Sequence, residues 1–288
     1  MNASSPSRAE LEAAWAARVR ANREQVDRLR EVPDGSDFYR PVTSLFVADP
    51  RRTDEPVLDA LRTLVVPGET WLDIGSGAGR YALPVALIAR EVIAIDPSTS
   101  MLAGLRELMV EHEISNIRVI QGRWPPSPDL AAALGPFPCA DVALIAHVGY
   151  DIEEIGPFID ETNRSARRLC VAMMMERSPA SVADPFWPIV HGEDRVSLPS
   201  LPEFIDLLSA AGHQPEVTVR QRAPRRFASR VELEGFLRRQ LWIADGGEKE
   251  RRYRAALDEL VVEEGGQIGL RTQEPMGVGV VTWTPARE

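Results

Sequence analysis

Apolar residues in the first thirty positions recur at alternating steps of three and four: Leu11, Trp15, Val19, Val26 and Leu29, with Asn22 on the same stripe. That period predicts a helix over 8–30, with Ser7 and Glu10 as its capping box. A stripe this narrow serves either a dimer seam or a face packed on the chain's own body. "VPDGSDF" ends it. A second helix is expected through Val57, Leu58, Leu61 and Leu64, stopping at "VPGE".

From Thr70 onward short apolar runs alternate with helical patterns. "TWLDI", "VIAID", "IRVIQ", "DVALIAH" and "RLCVAMMM" read as strands. Helices are expected at 80–89, 101–112, 152–166 and, briefly, at "DLAAAL". The strands are continuously apolar rather than alternating, as when helices cover both faces of a mostly parallel sheet. After a proline-rich stretch at 176–200 come a helix at 201–211, a strand "PEVTVRQR", two helices and a final strand "MGVGVVTWT". Ser229 and Glu232 form a capping box for the first of those two helices, and Gly265-Gly266 is read as the end of the second. The whole pattern predicts an α/β fold: a doubly wound, mostly parallel seven-stranded sheet with a reversed last strand and helical cap insertions at about 176–200 and 228–266. Residues 1–55 are expected to form a helical cap or lid and 56–288 the ligand-binding domain.

Composition narrows the partners. A net charge of −10 makes nucleic acid an unlikely partner, because that binding needs a basic face to displace counterions from phosphates. Cys139 and Cys170 lie in apolar runs, which favours two reduced thiols over a disulfide. No window approaches the roughly 20 apolar residues of a spanning helix, and the N-terminus offers no signal core. The expectation is a cytoplasmic protein without membrane contact, monomeric or homodimeric.

The chemistry concentrates in "WLDIGSGAGRYALPVA", residues 71–86. A glycine-rich turn between a strand and a helix lets a ligand approach the main chain at the positive end of the helix. Gly75, Gly77 and Gly79 depart from the dinucleotide spacing G-x-G-x-x-G, since Arg80 stands where its third glycine belongs. A nicotinamide-dependent oxidoreductase is disfavoured accordingly. Asp73 lies inside the first strand, and Asp96 closes the second, where a carboxylate is placed to accept hydrogen bonds from a ribose diol.

These residues, D-x-G-x-G-x-G with an acid after the second strand, resemble the class I S-adenosylmethionine-dependent methyltransferases, over about 56–175. The resemblance implies a Rossmann-like methyltransferase fold and S-adenosylmethionine as cofactor, with S-adenosylhomocysteine as product and no metal. It implies that Asp73, Gly75, Gly77 and Gly79 support the methionine part and that Asp96 and Pro97 lie at the ribose. Met101, Gly122, Arg123 and Trp124 would lie near the adenine. Many relatives carry an acidic residue after the third strand; "QGRWPP" has Arg123 there, so adenine is expected to be held by a backbone carbonyl or by packing on Trp124.

The acceptor is expected beyond the carboxyl ends of the strands. His147, at the end of the fourth strand, is the candidate base and a cofactor neighbour, its alternative being a packed strand-end histidine. Tyr150 is a second catalytic candidate; Asp151 is another, unless it only caps the next helix. Tyr39, Phe46, Phe186, Trp187 and Trp242 are candidate acceptor walls, each by itself reading more readily as core, and His191 is a candidate acceptor ligand whose alternative is a loop residue. Arg51 and Arg52 read most simply as a solvated pair. Arg220, Arg222, Arg225, Arg226 and Arg230 concentrate positive charge, although alternate strand residues face opposite ways. The "NPPY"-like segment of many nucleic-acid and protein methyltransferases is replaced by "AHVG". A small-molecule methyltransferase follows as the expectation, with a non-catalytic cofactor-binding protein or an RNA or protein methyltransferase as alternatives.

Overall fold

The computed structural model describes residues 6–33, 43 and 46–286. In chain order the elements are α1 (Arg8–Leu29), α2 (Pro56–Arg62), β1 (Thr70–Ile74), α3 (Ala82–Ala86), β2 (Glu91–Asp96), α4 (Thr99–Glu111), β3 (Ile117–Gln121), α5 (Pro128–Leu134), β4 (Ala140–Ala146), α6 (Ile155–Ser165) and β5 (Ala166–Met175). A 3-10 turn at Pro179–Ala183 precedes α7 (Trp187–His191), α8 (Leu201–Ala210), β6 (Glu216–Arg222), α9 (Arg230–Leu241), α10 (Glu248–Leu260), β7 (Val261–Glu264), β8 (Gln267–Leu270) and β9 (Met276–Trp283).

Seven strands form one sheet in the order β3-β2-β1-β4-β5-β9-β6. The first five pair in parallel, and β9 runs antiparallel between β5 and β6. Along β1 and β2 successive side chains enter opposite cores. Leu72, Ile74, Ile93 and Ile95 pack with α6 and α8 residues, whereas Trp71, Val92 and Ala94 pack with α2, α3 and α4 residues. Burial on both faces explains the unbroken apolar runs. The strand order reverses between β1 and β4, so the loops that follow these two strands flank the switch point, where open α/β sheets bind ligands.

The N-terminal helix packs on its own chain. Trp15 and Val19 are buried in the sheet's core, and Val26 and Leu29 pack on a second core further along. Ser7 and Glu10 make the expected capping box. Trp15 donates its indole N–H to Ile152 O at 2.9 Å. Gln25 donates to Asp194 O and accepts from Val196 N–H, both at 2.8 Å, fastening the helix to the segment after α7.

That second core belongs to the cap. Ala183, Phe186, Trp187 and Val190 from the proline-rich stretch share it with Phe227, Leu233, Leu237, Tyr253 and Leu257. The two insertions are therefore one packed unit. Its end differs from expectation: Gly265-Gly266 does not close a helix but turns a hairpin between β7 and β8. Both glycines have positive φ, 60° and 74°, as a tight two-residue hairpin turn requires. The capping box at Ser229 is half formed, since the Glu232 carboxylate accepts from Ala228 N–H rather than reaching back to Ser229. Cys139 and Cys170 are free thiols. Among the described residues no helix is long and apolar enough to cross a membrane.

Candidate functional site

The turn after β1 owes its shape to its glycines. Gly75, Gly77 and Gly79 have φ of 74°, 54° and 83°, the left-handed region that side chains disfavour. Space adds a second demand at two of them. A Cβ on Gly75 would stand 2.4 Å from Val148 Cγ2, and one on Gly79 would stand 2.4 Å from Leu105 Cδ1. The first contact joins the β1 and β4 loops across the switch point; the second seats the turn on α4.

Asp96 braces this turn from the next strand. Its carboxylate accepts Gly77 N–H and Ser98 N–H, each at 2.8 Å. Asp73 is buried beside it and accepts Ala82 N–H at the start of α3. Burial, and then the charge of Asp96, push the Asp73 carboxyl up to about 7. Among the described residues its Oδ1 has no partner, and neither has Ser76 Oγ. Unsatisfied buried oxygens are costly, and two of them on one glycine turn fit a ligand with hydrogen-bond donors, such as the amino-acid end of S-adenosylmethionine.

Of the other residues expected near the cofactor, Met101 is buried with its sulfur 4.0 Å from where a Gly77 Cβ would stand. Pro97 is exposed and its carbonyl accepts from Gln121 Nε2. Gly122 donates to Asp96 O at 3.1 Å, and Leu130 occupies the space of a Cβ there. Arg123 points outward. Trp124 is half-buried against the sheet's core with its indole nitrogen unpartnered.

His147 follows β4 with φ of 57° and is held by its N–H to Met173 O at 2.8 Å. Its partners were not legible in the sequence. Tyr81 Oη stands 3.3 Å from His147 Nε2 and donates to Glu55 Oε1 at 3.1 Å. Glu55 in turn accepts from Arg52 Nε and Arg80, both at 2.7 Å. Burial alone would raise the Glu55 carboxyl, but the two guanidinium groups outweigh it and hold it at about 2. A carboxylate only accepts, so the Tyr81 proton goes to Glu55. The imidazole proton then sits on Nε2, facing Tyr81 Oη, which leaves the Nδ1 lone pair buried and without a partner. Burial, followed by Arg222 and Arg80, lowers His147 to about 3. Arg52 is thus no solvated residue, in contrast to Arg51.

Tyr150 lies in the same region. It is buried, accepts Met175 N–H at 2.7 Å, and burial moves its phenol upward. Trp187, His191 and Trp242 lie elsewhere. Trp187 is fully buried in the cap, its ring centre 4.3 Å from that of His191 and tilted 43° to it, and His191 meets Leu241 O at 3.0 Å. Trp242 caps α9 and its carbonyl accepts Glu31 N–H. Trp187 and His191 belong to the cap interior, and Trp242 lies at the seam between the cap and the end of the N-terminal helix. Phe46 lies against Arg225, 5.7 Å from ring centre to guanidinium carbon. Tyr39 lies outside the described residues. Among the described residues no three His, Cys, Asp or Glu side chains gather as metal ligands.

Residues 72–169 match the family described as "Methyltransferase domain". The chain carries a class I S-adenosylmethionine-dependent methyltransferase domain. The chain is 34% identical over 80 residues to ribosomal RNA small subunit methyltransferase G of Neisseria gonorrhoeae, covering 26% of this chain and 39% of that protein. It is 33% identical over 72 residues to the 23S rRNA (uracil(1939)-C(5))-methyltransferase RlmD of Thiobacillus denitrificans, covering 25% of this chain and 17% of that protein. The chain thus spans well under half the length of these curated relatives. The crystal structure of YcgJ from Bacillus subtilis superposes with a TM-score of 0.54 at 15% identity, over 80% of this chain and 99% of that one. A structure from Bacillus halodurans titled a putative methyltransferase gives 0.53 at 11% identity, over 80% and 99%. These two share the fold around the methyltransferase domain.

Proposed function

We propose that the protein is an S-adenosylmethionine-dependent methyltransferase acting on a small molecule beneath its cap. The observation that carries this reading is the turn at Gly75–Gly79, braced by Asp96 and bearing the unpartnered oxygens of Asp73 and Ser76. Asp73 and Ser76 would hold the amino-acid end of the cofactor, Asp96 its ribose, and Gly122 with Trp124 its adenine. Arg123, being exposed, leaves the adenine to backbone and packing.

When bound, S-adenosylmethionine would supply an electrophilic sulfonium methyl group to a lone pair of the acceptor. The protein's part is alignment and exclusion of water, and alignment contributes on the order of 7–11 kcal/mol at best. His147 accepts a hydrogen bond from the acceptor at Nδ1, its ring fixed by Tyr81 at Nε2. Tyr150 anchors the end of β5. The N-terminal segment and the cap act as the lid, which suits a small organic acceptor.

An RNA acceptor is the second reading, favoured by the names of the curated relatives. Net charge of −10 weighs against it. The test is calorimetric binding of S-adenosylhomocysteine, followed by transfer from methyl-labelled S-adenosylmethionine to small-molecule pools and to ribosomal RNA. Label in the small-molecule pool supports the proposal. Label only in RNA, or no cofactor binding, overturns it.

A further inference from the structure

The five arginines between 220 and 230 do not form one surface. Arg220 is exposed on β6, Arg226 pairs with Glu264 at 2.9 Å, and Arg230 pairs with Glu234 and Asp258. Arg222 and Arg225 behave differently. β6 runs parallel to β5 two places away, so Arg222, its last residue, stands at the same carboxyl edge as Met175 and His147. Arg222 and Arg80 both bear electrostatically on His147, and Arg222 also bears on Tyr81 and Tyr150.

Arg225 is half-buried between two rings, 5.7 Å from the Phe46 centroid and 5.1 Å from that of Phe236. Neither Arg222 nor Arg225 makes an ion pair with any described carboxylate. Glu55 already serves Arg52 and Arg80, and Glu232, which bears on Arg225, accepts Ala228 N–H and forms no ion pair among the described residues, so the two carboxylates stand against four guanidinium groups. The edge beside His147 therefore carries an excess of positive charge in a partly enclosed place. Burial, then Arg222 and Arg80, bring even the Arg225 guanidinium down to about 10. Leaving a desolvated cation without a counter-charge is costly. A cationic sulfonium cofactor would add to the excess, so the missing negative charge must come with the other ligand.

We infer that the methyl acceptor carries an anionic group, a carboxylate or a phosphate, which Arg225 and Arg222 hold between Phe46 and the end of β6. The inference rests on the methyltransferase reading of the site and assigns its substrate class. The planar guanidinium suits either oxyanion through paired hydrogen bonds, and the flanking rings keep Arg225 from folding into solvent. Docking an anion there also offsets two of the charges that keep His147 unprotonated, which makes its Nδ1 a better acceptor only when substrate is present.

The full-length protein is first titrated with S-adenosylhomocysteine, then, saturated with it, with benzoate and separately with inorganic phosphate. Arg225→Gln, Arg225→Lys and Arg222→Gln are treated alike, with thermal melts to check folding. The expected result is saturable binding of one probe, weakened at least about tenfold in Arg225→Gln, partly restored in Arg225→Lys, and unchanged cofactor affinity. The probe that binds tells carboxylate from phosphate. Should Arg225→Gln fail to fold, Arg222→Gln and Arg225→Lys carry the comparison. No saturable binding of either probe, equal binding by all variants, or binding only of an RNA oligonucleotide that depends on the same arginines would overturn the inference. If S-adenosylhomocysteine itself does not bind, the proposed function fails instead, and the anion titration of the free protein still decides whether the arginines form a site.

Discussion

Gly77 donates its backbone N–H to Asp96 Oδ2 at 2.8 Å, so the acid that closes the second strand holds the glycine turn. Asp96→Ala is expected to weaken S-adenosylhomocysteine by at least about tenfold, the loss of a charge-assisted contact. Asp96→Asn keeps one acceptor for Gly77 and should lose less. Equal affinity in the wild type and both variants, by calorimetry, would remove Asp96 from the site.

Asp73 gives a pH prediction with a definite sign. Its native carboxyl lies near 7, above the ordinary 3.8, so between these values the folded state binds more protons than the unfolded one and stability falls as pH rises. Above pH 7 the buried charge is fully present and unfavourable. Asp73→Asn should therefore raise the melting temperature of the ligand-free protein at pH 8 by roughly 2–4 °C, with little change at pH 4, while weakening the cofactor. A variant that melts lower at pH 8 would show that the carboxylate is satisfied in the native state.

The contact of Gly75 with Val148 predicts a paired effect. Gly75→Ala places a methyl 2.4 Å from Val148 Cγ2 at a positive φ and should cost about 1–3 kcal/mol. Adding Val148→Ala relieves the overlap but not the backbone strain, so the double variant should recover part of the loss in denaturant melts. Additive losses would place the two loops further apart.

How the sequence conveys this molecule depends on the range of the contacts. The strands were legible because burial on both faces writes continuous apolar runs, and the glycine turn because its backbone demands Gly75, Gly77 and Gly79 locally. The β7–β8 hairpin was missed because Gly-Gly serves equally as a helix stop; the β-branched residues in "VVEEGGQIGL" on either side were the available signal. Glu55 and Tyr81 were not legible at all. They meet only through the packing of the α2 approach on the turn after β1, which no spacing within 26 residues encodes.

Trp187 separates cap core from acceptor wall. Fully buried among Phe186, Val190 and Leu237, it should cost about 3–5 kcal/mol on truncation to Ala, seen as a large fall in melting temperature. A stable Trp187→Ala protein with a changed acceptor KM would instead put Trp187 at the substrate.

The central claim is that the turn at Gly75–Gly79 receives the amino-acid-bearing adenosine. Isothermal titration of the full-length protein with S-adenosylhomocysteine and, in parallel, with a nicotinamide dinucleotide tests it most directly. Saturable one-to-one binding of the first and none of the second is the predicted result; the reverse, or binding of neither, contradicts it.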